Sequence, residues 1–118
     1  MMMHITLERE IYLEDATLGF MQWGSYLTAY TRERAYPATV EPGTYQIKMC
    51  YPDVNREMPA IMADEPYIIG WEPDADLRVG TYQQGNDVVN TRSKFAEMLP
   101  ELEQAIKAGD CTITIEGR

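Results

Sequence analysis

The sequence predicts a β-rich α+β domain: a mostly antiparallel sheet, or a small barrel-like sheet, with one C-terminal helical segment and a final strand. Three observations predict it. Apolar and polar residues alternate with period two in several runs of the first half. The period changes to helical spacing from Phe95. Alternation then returns at Cys111.

Taken in order, His4 to Arg9 alternates, with Ile5 and Leu7 on one face. Thr17 to Trp23 and Tyr26 to Arg34 are two more runs. Gly24-Ser25 between them suits a tight hairpin turn, because glycine supplies positive φ. A break follows at Ala35 to Val40. Glu41-Pro42-Gly43 is a turn signal, and Thr44 to Cys50 is a well-patterned strand. Pro52, Pro59 and Pro66 make Tyr51 to Glu65 read as an extended loop. Tyr67 to Trp71 and Leu77 to Tyr82 read as short strands. Phe95, Met98, Leu99, Leu102, Ala105 and Ile106 then mark one helical face. Asn90 or Thr91 can cap its start, Pro100 favours two helical pieces, and Gly109 is a natural stop. Cys111 to Glu116 closes the fold as a strand.

The 118 residues fit one domain, residues 1–118, large enough to bury a core without staples. The formal net charge of −9 opposes polyphosphate backbones, so a nucleic-acid polymer is not an expected partner. No apolar run reaches bilayer-spanning length, so no membrane partner is expected. The start, Met1 to Glu10, lacks a basic segment followed by an apolar one, and cytoplasmic residence is the expectation. Cys50 and Cys111 lack the spacing of a zinc or redox motif and read as reduced thiols. His4 is the sole histidine, which removes a His-rich metal site and leaves no natural base for a catalytic dyad. No cofactor is expected.

Two local patterns invite a site. Glu72, Asp74 and Asp76 cluster between Trp71 and Arg78. Pro73 interrupts them and no glycine follows Asp76, so a calcium loop does not fit. Carboxylates this close in a turn ordinarily point to solvent. The second pattern is Tyr30-Thr31-Arg32-Glu33-Arg34-Ala35-Tyr36. On a strand, Tyr30, Arg32, Arg34 and Tyr36 would share one face. Two guanidiniums between two aromatic rings suit a planar anionic ligand. The competing reading is a solvated strand face whose arginines pair with nearby carboxylates.

Several segments together resemble a known family. They are Leu7-Glu8-Arg9, Thr17-Leu18-Gly19, Tyr30-Thr31-Arg32-Glu33, Glu41-Pro42-Gly43-Thr44-Tyr45, Val79-Gly80 and Val88 to Phe95. Their order is similar to that in small domains of unknown function found widely in phages, prophages and bacterial genomes. That family carries an Ile-His-x-Gly-Asn segment and a Gly-Cys pair before a Val-Gly. The arrangement is similar to the His and Cys of L,D-transpeptidases. In this sequence the His position falls at Gly70 or Trp71 and the Gly-Cys position at Ala75-Asp76. Cysteine acyl transfer needs both the thiol and its base.

The resemblance therefore implies a non-catalytic, phage- or prophage-encoded binding domain, acting in the host cytoplasm if phage-encoded. The expected ligand-binding residues are Tyr30, Arg32, Arg34 and Tyr36, with Trp71 and Arg78 beside them. The expected partner is a small anionic, nucleotide-like ligand sequestered from host defence signalling, or a host or phage protein. Alternatives are a structural or protein-interaction role, in phage assembly or as an acidic mimic, and a residual peptidoglycan-modifying enzyme. Edge strands and tyrosine-rich faces would permit a homo-oligomer.

Overall fold

The computed structural model describes residues 3–24, 27–53 and 56–118. Seven strands come first: β1 (Met3–Tyr12), β2 (Thr17–Trp23), β3 (Leu27–Glu33), β4 (Gly43–Asp53), β5 (Arg56–Met62), β6 (Pro66–Gly70) and β7 (Leu77–Gly80). A short hairpin, β8 (Tyr82–Gln84) and β9 (Asp87–Val89), leads into helix α1 (Thr91–Lys107), and β10 (Cys111–Glu116) ends the fold. Eight strands close a barrel in the order β1-β10-β4-β5-β6-β7-β3-β2, with β2 returning to β1. The β1–β10 and β6–β7 pairings are parallel and the other six are antiparallel.

Alternation builds the interior. Ile5, Leu7 and Arg9 of β1 are buried while His4, Glu8 and Glu10 are exposed. Ala29, Thr31 and Glu33 of β3, Leu77 and Val79 of β7, and Cys111, Ile113 and Ile115 of β10 keep the same phase. Two odd-numbered residues on one strand share a face, so each of these runs turns one side to the core.

The two ends of the barrel differ. Met3, Trp23 and Cys111 lie at one end, and α1 packs Phe95, Met98, Leu102 and Ala105 into the same core. Trp23 Nε1 donates to Glu101 Oε2 at 3.2 Å, tying β2 to the helix. The strand registers carry Arg9, Thr17, Glu33 and Leu77 to the opposite end, the mouth. His4, the sole histidine, lies within β1 and hydrogen-bonds Thr112 Oγ1 at 2.7 Å.

Four local expectations need correction. The stretch read as a loop from Tyr51 to Glu65 carries the end of β4 and all of β5. Met58, Pro59, Ala60 and Ile61 are buried in succession, so no period-two signal was available. Pro59 is accommodated because the β5–β6 ladder covers only Ala60 to Met62. Second, the strand expected from Leu77 to Tyr82 stops at Gly80 and the chain starts the β8–β9 hairpin. A Cβ at Gly80 would lie 2.7 Å from the Val89 carbonyl oxygen, so only glycine lets the hairpin close onto β7. Third, β6 and β7 pair in parallel, joined through residues 71–76, within a sheet expected to be mostly antiparallel. Of the hairpin expected at Gly24-Ser25, Gly24 has φ 63, while Ser25 and Tyr26 lie outside the described residues.

The fourth correction is the helix, which is one element with Pro100 inside it. Pro100 faces solvent, and the buried residues Met98 and Leu102 on either side of it hold one face to the barrel. Proline removes one i→i−4 hydrogen bond and crowds the preceding turn. Burial of the apolar face outweighs that local cost. Pro100→Ala is accordingly expected to raise stability by about 1–3 kcal/mol, read as a higher urea midpoint at unchanged slope. An unchanged midpoint would show that the proline's restriction of the unfolded chain offsets the lost bond.

A candidate functional site at the barrel mouth

The mouth is built on a buried polar plug. Arg9 is the next inward residue after Ile5 and Leu7, and Glu33 the next after Ala29 and Thr31. Their side chains are fully buried and form a two-pronged pair. Arg9 Nε donates to Glu33 Oε2 at 3.0 Å and Arg9 Nη2 to Glu33 Oε1 at 2.8 Å. The Tyr67 hydroxyl donates to Glu33 Oε1 at 2.8 Å. Arg9 Nη1 donates to the Arg118 main-chain oxygen at 2.7 Å. Burial alone would lower the Arg9 pKa, but the hydrogen bond and charge of Glu33 carry it above the ordinary guanidinium value. Burial, then the charge and hydrogen bond of Glu33, pushes the Tyr67 phenol well up. The pair is therefore a charged, satisfied floor under the mouth.

Arg32 points outward from β3, and Arg78 stands directly opposite it on β7. Arg34 follows just past the end of β3. The three arginines line one cleft of about 370 Å³ with Asp15, Glu33, Ala35, Pro73, Asp74 and Ala75. Arg34 Nη2 donates to Asp76 Oδ1 at 2.6 Å. Arg32 Nε donates to the Asn86 carbonyl at 3.1 Å, with Asp15 and Asp87 carboxylates looser at 3.9 and 3.8 Å. Arg78 pairs with Asp87.

Of the six residues expected to bind ligand, Arg32, Arg34 and Arg78 converge and the three aromatics do not. The four-residue stripe was drawn on a continuous strand, but β3 ends at Glu33. Tyr30 faces outward with its ring edge on Phe20, centroids 5.2 Å apart. Tyr36, beyond the strand, lies in a separate cleft with Arg118, whose guanidinium is 5.9 Å from its ring centre. Trp71 packs against the core, with the Arg92 guanidinium 5.2 Å from its ring centre.

The acidic turn is less solvated than expected. Asp76 is largely buried: Oδ1 accepts from Arg34, and Oδ2 accepts the Ile68 N–H at 2.7 Å. Glu72 pairs with Arg56. Only Asp74 is exposed, on the rim of the arginine cleft. The Arg34–Asp76 pair also borders a wider, open cleft of about 930 Å³ that carries Glu41, Asp64 and Glu65 above Tyr45 and Tyr67.

Positions 70 and 75, at the places where the resembled family carries His and Gly-Cys, lie against each other. A Cβ on Gly70 would be 3.2 Å from the Ala75 Cβ. Cys50 and Cys111 are free thiols on β4 and β10. Burial pushes both thiol pKa values up, Cys111 to about 11, the opposite of the shift a nucleophile requires. Among the described residues, no three His, Cys, Asp or Glu side chains are grouped to hold a metal ion, and no helix is long and apolar enough to cross a membrane.

Sequence reasoning missed the plug. Arg9 and Glu33 both lie in segments singled out for other reasons. Their signal was a charge falling in the inward phase of two separate strands, one of each sign.

The class defined by these features is a closed eight-stranded barrel, sealed at one end by a helix and carrying an arginine-lined cleft at the other. No family model, curated protein or solved structure matches this chain.

Proposed function

We propose that this chain is a non-catalytic binding domain that holds a small anionic, nucleotide-like ligand on Arg32, Arg34 and Arg78. The observation that carries the reading is the convergence of three guanidiniums from two strands and a loop on one cleft. In a chain of net charge −9, the three guanidiniums stand among three carboxylates of the same cleft, Asp15, Glu33 and Asp74, so the positive charge is local to the arginines. Guanidiniums bind phosphate and carboxylate through forked, charge-assisted hydrogen bonds. A cleft of this volume falls in the range of small-molecule sites. The non-catalytic part is supported by Gly70, Trp71, Ala75 and Asp76 standing where a base and a thiol would be needed. Encoding by a phage or prophage, and sequestration of a host defence messenger, rest on the resemblance alone.

Calorimetric titration with a panel of nucleotides tests the reading. Arg32→Ala and Arg34→Ala should each weaken binding by about tenfold or more, the usual scale of a charge-assisted hydrogen bond. If the unmodified protein binds none of the panel, the proposal is lost.

The wider cleft favours a second reading, a protein partner with a basic surface. Glu41, Asp64, Glu65 and Asp76 there outnumber Arg34. Such a complex would weaken steeply as salt rises, since its charges are exposed. The nucleotide reading predicts no such capture.

A further inference from the structure

The two central cations of the arginine cleft already hold an anion. Arg32 and Arg78 face each other across the β3–β7 ladder, and the tip of the β8–β9 hairpin lies over both. Asp87 Oδ1 bonds Arg78 Nη2 and stands 3.8 Å from Arg32 Nε. The Asp87 side chain is 56% exposed, against 27% for Arg32 and 12% for Arg78. Asp87 is thus the most exposed of the three, at the edge of the cleft that Arg32 and Arg78 line, and it occupies a hydrogen-bonding position on Arg78 that an incoming anion would use. The hairpin that carries it is a separate two-stranded sheet outside the barrel ladder.

We infer that Asp87 is a resident competitor that sets the specificity of the cleft, admitting phosphoryl groups and rejecting carboxylates. The inference rests on the reading of Arg32, Arg34 and Arg78 as a ligand site. The Arg78 guanidinium is mostly buried, so losing its anionic partner without a replacement would be costly. Ligand binding must then exchange one anion for another. A tethered carboxylate competes at an effective concentration on the order of millimolar, so a free carboxylate gains little by replacing it. A phosphoryl group offers nearly twice the charge and three acceptor oxygens. It can bridge both guanidiniums where Asp87 bonds one closely and the other only at 3.8 Å. The hairpin tip would yield while Thr81 N–H stays bonded to the Val89 carbonyl at 2.9 Å.

Pyrophosphate and succinate are titrated into the unmodified protein, Asp87→Asn and Glu97→Gln. Glu97→Gln removes the same charge from α1, where Glu97 pairs with Lys94 away from the arginine cleft. The unmodified protein should bind pyrophosphate and not succinate. Asp87→Asn should bind pyrophosphate about tenfold tighter and gain succinate binding, once the tethered competitor is gone. Glu97→Gln should change little. In the unmodified protein, pyrophosphate should speed hydrogen exchange at the Val88 amide, which now donates to Asp87 Oδ1 at 2.8 Å. That readout does not depend on the folding of any variant. Equal gains from both variants, or unchanged Val88 protection on binding, overturn the inference and leave the arginine site standing. Pyrophosphate failing to bind every form removes the site and its competitor together.

Discussion

Glu33→Ala should destabilise the fold by about 3–5 kcal/mol, the cost of leaving one partner of a buried ion pair unpaired. The variant strands the Arg9 guanidinium, which cannot shed its proton, inside the barrel mouth. It also removes the acceptor of the Tyr67 hydroxyl. Urea denaturation measures the loss. A companion variant isolates its cause. Arg9→Met with Glu33→Leu removes both charges and should recover most of the stability, because an apolar pair of similar volume has no desolvation to offset. If the single variant lost less than about 1 kcal/mol, the scale of an exposed pair, Arg9 and Glu33 would have to be reached by water. The double variant also bears on the mouth: recovered stability with lost ligand binding would show that the plug shapes the cleft beside it, since Glu33 lines that cleft.

The second large effect is expected at the other end. Leu102→Ala should cost about 2–5 kcal/mol, the range for truncating a buried leucine and leaving part of its cavity. Leu102 is among the fully buried side chains, and α1 supplies Phe95, Met98 and Ala105 to the same cluster. The loss should appear as a lower urea midpoint. Trp23 reports on the local cause, because its indole N–H reaches Glu101, the residue before Leu102. A Trp23 fluorescence change at low urea, ahead of the main transition, would show the helix leaving the barrel before the strands separate. A loss well below that range would mean the helix only covers a barrel that is stable by itself.

Much of this architecture was legible in the chain. Thr17–Trp23 and Cys111–Glu116 were bounded as they stand, and β1, β3, β4, β6 and β7 were placed to within a few residues. Most of them have one face in the core and one face outside, which writes a period of two into the residues; β2 buries Thr17, Leu18 and Gly19 in succession and alternates only after them. Elements without that contrast were lost. In β5 four successive residues are buried, and β8 exposes all three of its residues. Pro100 misled for a different reason: it marks a local cost, and the packing of α1 against the barrel decides whether the cost is met.

The site divided along the same line. Arg32 and Arg78 line one cleft, and their outward phase could be read because side-chain phase on a strand is local information. Tyr36 and Trp71 lie away from that cleft, since the chain leaves β3 after Glu33 and β6 after Gly70, and phase then says nothing about direction.

By itself the sequence determined which residues alternate, where turns fall, and that a helix precedes a last strand, since these follow from backbone geometry over a few residues. Only the tertiary structure decided that the sheet closes. Closure depends on β10 pairing in parallel with β1, Met3 beside Cys111, across nearly the whole chain. Closure removes the free edges of the main sheet, so an edge-to-edge dimer would have to use the β8–β9 hairpin. The neighbouring of β1, β2, β3 and β7 in the sheet likewise brings Arg9 to Glu33, and Arg32 to Arg78, pairings between distant segments that no local pattern encodes.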